Sequence, residues 1–127
     1  MSVTASANGQ IDLIDSAAGT NQLVKLFSGL SVVGTVSEVV NNLLIGASPQ
    51  SITLPISPIQ FMYLKNLHAV NFIEVTWTPV SGSSTAILLL EPGGFIIWGN
   101  PVTGGGIMAL SLQASATSTP VEMVLLG

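Results

Sequence analysis

"QFMYLKNLHAVNFIEVTW", residues 60 to 77, sets two short runs of alternating apolar and polar side chains on either side of a polar bend. A period of two places successive side chains on opposite faces, the mark of a half-buried strand. If the two runs close a hairpin around His68 and Ala69, Met62 faces Val75 and Leu64 faces Ile73 on the core side. Tyr63 then faces Glu74 on the other side, with Lys65 as the diagonal neighbour of Glu74. The stretch also holds the only histidine of the chain and one of its two basic residues, so it is either a reactive site or a structural corner. A reactive His68 needs a nucleophile and an orienting acid, or further metal ligands. With one histidine and six Asp and Glu residues spread along the chain, the corner is the better reading. His68 is then a loop-tip residue, and Asn66 and Asn71 bond to the local backbone.

Outward from this stretch, short apolar runs alternate with turn signals about every 8 to 12 residues, the pattern of an all-β sandwich or barrel. The predicted strands are Gln10 to Ile14, Leu23 to Phe27, Leu30 to Val33, Ser51 to Leu54, Gln60 to Lys65, Asn71 to Trp77, Ala86 to Leu90, Gly94 to Trp98, Gly106 to Ala114 and Val121 to Leu126. This number exceeds one sheet and predicts a two-sheet antiparallel β-sandwich. Residues 36 to 44 carry valines and leucines at helical spacing, but the β-branched side chains, Asn41-Asn42 and the bordering Gly34 and Gly46 favour an extended strand. Residues 1 to 10 are small, polar and aperiodic. They are expected to be a flexible N-terminal arm ahead of a single domain at 11 to 127.

Alternation assigns faces. Met108, Leu110 and Leu112 are expected in the core, with Ile107, Ala109, Ser111 and Gln113 turned away; Val121, Met123 and Leu125 are expected in the core, with Glu122, Val124 and Leu126 outside. Pro92 and Gly93 in "EPGG" suit the central positions of a type II turn, which predicts a hairpin between "AILLL" and "FIIW". Both of these runs are apolar on both faces, so something beyond the core is expected to cover them.

Composition excludes several functions. Charged residues are 6% of the 127-residue chain, against about 25% in an average soluble protein. Lys25 and Lys65 are the only fixed cations and the formal charge is −4. Nucleic-acid affinity depends on neutralising phosphates, and anionic lipid surfaces also select basic clusters, so neither partner is expected. No apolar run reaches the roughly 20 residues of a membrane-spanning helix, and the N-terminus lacks the features of a signal peptide. Without cysteine there is no disulfide, thiolate zinc site or cysteine nucleophile.

No other motif implies chemistry. Asp12 and Asp15 would lie on opposite faces of a strand, which rules out a shared acid-base role. "TGGGIM" at 103 to 108 opens a strand without a following Gly-Lys-Ser/Thr, so it is a flexible turn and not a phosphate loop. Trp77 or Trp98 could stack on a sugar, which makes a carbohydrate-binding module the main alternative to a purely structural role. No catalytic, cofactor-binding or metal-binding residue is expected.

The segments "VGTVSEVVNNLLIG", "FMYLKNLHAVNFIEV", "LLLEPGGFIIW" and "IMALSLQASATSTPVEMVLLG" together resemble the small β-sandwich virion proteins of tailed bacteriophages, over roughly residues 33 to 127. The shared positions are Asn66, Leu67, Asn71, Phe72, Glu74 and Val75, then Pro92 and Gly93, then Val121, Glu122 and Gly127. His68 and Val70 depart from the pattern, which usually has an acidic residue and a threonine there. The resemblance implies a jelly-roll-like fold and a capsid cement or decoration role, with head-fibre, neck or tail components as alternatives within the particle. The partners so implied are the major capsid protein or another virion protein, with synthesis in the host cytoplasm. Apolar outward faces and scarce charge further imply self-association as a homodimer or homotrimer.

Overall fold

The computed structural model describes residues 2–15, 20–52, 58–81, 84–100 and 104–127, with 11–15 and 20–29 as backbone only. Leu54 and Thr103, and the side chains of Asp12, Asp15 and Lys25, lie outside the described residues. Among the described residues there are ten strands: β1 (Val3–Asp15), β2 (Thr20–Gly34), β3 (Ser37–Ile45), β4 (Gln50–Ile52), β5 (Phe61–Asn66), β6 (Ile73–Pro79), β7 (Ala86–Leu90), β8 (Phe95–Gly99), β9 (Ile107–Ala114) and β10 (Thr119–Leu126). The segment with helical spacing is strand from Ser37 to Ile45, as its β-branched valines favour.

Strands β3 to β10 form two four-stranded antiparallel sheets, sheet I in the order β3-β10-β5-β8 and sheet II in the order β4-β9-β6-β7. The pairs β3–β10, β4–β9, β5–β8 and β6–β7 are rungs of one long antiparallel ribbon whose tip is the β6–β7 connection. Folding that ribbon across the sandwich brings β10 beside β5 and β9 beside β6. This is the jelly-roll arrangement. Between the sheets lies a core of Ile45, Met62, Leu64, Ile73, Val75, Leu110, Leu112, Val121, Met123 and Leu125, with several further apolar residues.

This topology corrects both predicted hairpins. β5 and β6 lie in different sheets, as do β7 and β8, so the 67–72 and 91–94 segments are arches that carry the chain across the core. Met62, Leu64, Ile73 and Val75 are all buried as expected, but they meet across the sheets and not within one. Alternation could not separate the two arrangements, because both put the same residues in the core. Tyr63 therefore does not face Glu74, and Lys65 pairs with Glu122 and Phe95. The turn itself is as read: Gly94 N–H donates to the Glu91 carbonyl at 2.8 Å and Gly93 has φ 76°, a conformation that glycine adopts without strain.

Two other expectations change. Residues 3 to 10, read as a flexible arm, belong to β1, which pairs along its length with β2, itself one strand where two were predicted. On β9, Ile107 is buried and Met108 is 57% exposed. The cause is a bulge: Thr78 pairs with Ala109 but Pro79 pairs with Ile107, so Met108 is the extra residue and the alternation inverts before it.

Candidate interaction surface

The arch between β5 and β6 is a hydrogen-bonded corner. Asn66 is fully buried; its Nδ2 donates to the carbonyls of Asn71 (2.7 Å), Leu90 (3.1 Å) and Glu91 (3.3 Å), and its Oδ1 accepts from His68 N–H at 3.0 Å. His68 Nδ1 accepts the N–H groups of Val70 (3.0 Å) and Asn71 (2.8 Å). Asn71 Nδ2 reaches Thr119 Oγ1 at 3.0 Å, and that hydroxyl donates to the Ala116 carbonyl at 3.0 Å. One asparagine thus ties the arch to the end of β7 and to the 91–94 turn, while the imidazole replaces a turn carbonyl. An Nδ1 engaged by two amides has no lone pair left for a metal or a nucleophile. No cluster of metal-ligating side chains occurs among the described residues.

The remaining candidates separate in the same way. Trp77 and Trp98 are half-buried and pack against the inter-sheet core. Glu74 lies on sheet II beside a shallow depression lined by Ala47, Phe72, Gln113, Ala114 and Ser115, without a second carboxylate or a histidine.

The outer face of sheet I is different. Its strands align side chains in rows across all four strands. One row is Ser37, Leu126, Phe61 and Gly99, and the next is Val39, Val124, Tyr63 and Ile97. The base of the β1–β2 hairpin covers the first row: Val3, Ala5, Ala7, Leu30 and Val32 pack with Phe61, Tyr63, Val124 and Leu126. Leu126 is buried for this reason, although it points away from the inter-sheet core. Gly99 permits the approach, since a β-carbon there would meet Leu30 Cδ1 at 2.8 Å and Val32 Cγ2 at 3.1 Å.

The second row is only half covered. Between β1 and the sheet runs a groove of about 490 Å³, walled by residues 3 to 8 and floored by Val39, Phe61, Tyr63, Ile97, Val124 and Leu126. Val39 is 64% exposed, and Phe95 in the neighbouring row 59%. No charged side chain lines the groove. At its margin Tyr63 Oη donates to Glu122 Oε1 at 2.7 Å. That hydrogen bond, with burial and the carboxylate charge behind it, pushes the phenol up to about 12. Sheet II also keeps large apolar side chains outside, with Ile87 at 66% and Leu89 at 48% exposure. Such surfaces suit burial against neutral protein.

Comparison with protein-family models, with curated proteins and with solved structures returns no match. The outward apolar face of β7 and β8 was legible as strands apolar on both sides. The Val39, Val124, Tyr63 and Ile97 row was not, because it depends on which strands are neighbours; its one sequence signal is Val124 and Leu126 on the side of β10 opposite its core residues.

Proposed function

We propose that this chain is a non-enzymatic structural protein of a tailed-phage particle, a capsid cement or decoration protein that stabilises the shell through apolar and backbone contacts. The observation that carries the reading is the pair of charge-poor outer faces, with Val39, Phe95, Ile87 and Leu89 left open on a jelly-roll frame. Free proteins rarely keep such faces exposed, and a subunit built into a shell buries them against neighbours. Jelly rolls serve in viral capsids and also in lectins and cupins. The resemblance over residues 33 to 127 favours the first, and the packing of both tryptophans against the core speaks against sugar stacking.

With eight Lys, Arg, Asp and Glu residues in all, exposed ion pairs at about 0 to 1 kcal/mol each contribute little to attachment. Apolar burial at roughly 25 cal/mol per Å² supplies most of it. Mass spectrometry of purified particles is expected to find the protein in many copies, retained after washing in molar salt. Its recovery from host lysate alone would refute the assignment.

A further inference from the structure

β1 pairs with β2 on one side and, among the described residues, with no strand on the other. An unpaired strand edge is a template for another chain unless lysine, proline or a covering element blocks it. The first six residues of β1, Val3 to Asn8, contain neither lysine nor proline, and their edge forms the wall of the groove over Val39, Tyr63, Ile97 and Val124. The occupant must therefore be an extended segment, small and uncharged, with one apolar side to lay on the floor. Val3, Ala5 and Ala7 turn toward sheet I while Thr4, Ser6 and Asn8 are exposed, so β1 itself has the required pattern.

We propose that the groove is filled by β1 of a second copy, the two strands pairing antiparallel about a two-fold axis at Ser6. Matching the faces places Ser6 opposite Ser6, Thr4 opposite Asn8 and Ala5 opposite Ala7, keeping polar residues outside and small apolar ones on the floor. The two hairpins become one four-stranded strip lying across two adjacent β3 edges. This meets a need of the fold, because an isolated two-stranded ribbon is marginal in water and gains from a third and fourth strand. Area points the same way. The chain exposes 7331 Å², whereas a compact monomer of this mass exposes about 6,300 Å². The excess of roughly 1,000 Å² goes with a long β1–β2 hairpin that packs on the sandwich at its base, and an interface removing about 800 Å² from each partner would offset much of it. No charged side chain in the groove opposes like meeting like. The inference stands apart from the virion assignment and holds for the isolated chain.

The absence of cysteine makes the test direct. Residues opposed across an antiparallel pair have Cα atoms about 4.5 to 5.5 Å apart, within the range a disulfide spans. Ser6→Cys is expected to cross-link as a dimer under mild oxidation, and Ser51→Cys, exposed on β4 of sheet II, is expected to stay largely uncross-linked. Sedimentation of the unsubstituted chain at micromolar concentration should give a species of twice the 13.0 kDa chain mass, and Val39→Lys should shift it to monomer. A monomeric or trimeric unsubstituted chain would overturn the proposal, as would equal cross-linking of the two cysteine variants or a Val39→Lys dimer of undiminished affinity.

Discussion

The inner and outer faces of sheet I are built from the same strands and nearly the same residue types, yet only the inner face is closed. Inside, Met62, Leu64, Val121, Met123 and Leu125 are removed from water by the opposing sheet. Outside, the hairpin covers Phe61 and Leu126 and leaves Val39, Phe95 and Ile97 open. Apolar content does not separate the two faces, since both are largely apolar and the outer one carries charge only where Lys65 and Glu122 lie opposite each other. What separates them is the available cover: sheet II spans the whole inner face, whereas a two-stranded ribbon spans about half of the outer one. The inner face is therefore where stability resides, and the outer face is where association can be added.

Breaking the inner face should have the largest effect. Leu64→Ala empties a fully buried site and is expected to cost about 2 to 5 kcal/mol in denaturant unfolding. Val39→Ala on the exposed outer row is expected to stay within about 0.5 kcal/mol for the monomer. Equal losses would erase the distinction between the faces.

The corner tests whether polar bonding closes the core at its end. Asn66→Ala leaves the His68 N–H and the carbonyls of Asn71 and Leu90 without their partner, at an expected cost of about 1 to 3 kcal/mol. His68→Ala, which removes only the Nδ1 acceptor of two amides at the bend, should cost less than Asn66→Ala. The reverse order would mean that the imidazole, and not the asparagine, holds the arch.

A smaller effect reports on the outer margin. Tyr63 is raised to about 12 chiefly by its hydrogen bond to Glu122. A raised phenol means that the fold favours the neutral form, so its contribution to stability is complete below pH 10 and is lost as pH rises through about 12. Ultraviolet titration of the phenolate should find a midpoint near 12, moving down in Glu122→Gln; an unmoved midpoint would assign the shift to burial alone.

Much of this was readable from sequence. All ten predicted strands overlap observed ones, two of them falling in β2, and the core residues of β5, β6 and β10 follow from alternation. The pairing partners do not, because an arch and a hairpin bury the same side chains and differ only in which backbones meet. The first part of β1 was missed although Val3, Thr4, Ala5, Ser6, Ala7 and Asn8 alternate strictly; small side chains bury little area and so give a weak signal. The bulge at Met108 was invisible because an extra residue shows only against its partner strand. His68 as a corner was legible, since the chain has a single histidine set between two asparagines at a polar bend.

An electron-microscopy map, at side-chain resolution, of the tailed-phage particle proposed to carry this chain tests the central claim most directly. The outer face of sheet I, with Val39 and Phe95, is expected to be buried against a neighbouring copy or the capsid lattice, in contacts without ion pairs. A particle map with no density for this chain, or with both apolar outer faces turned to solvent, would contradict it.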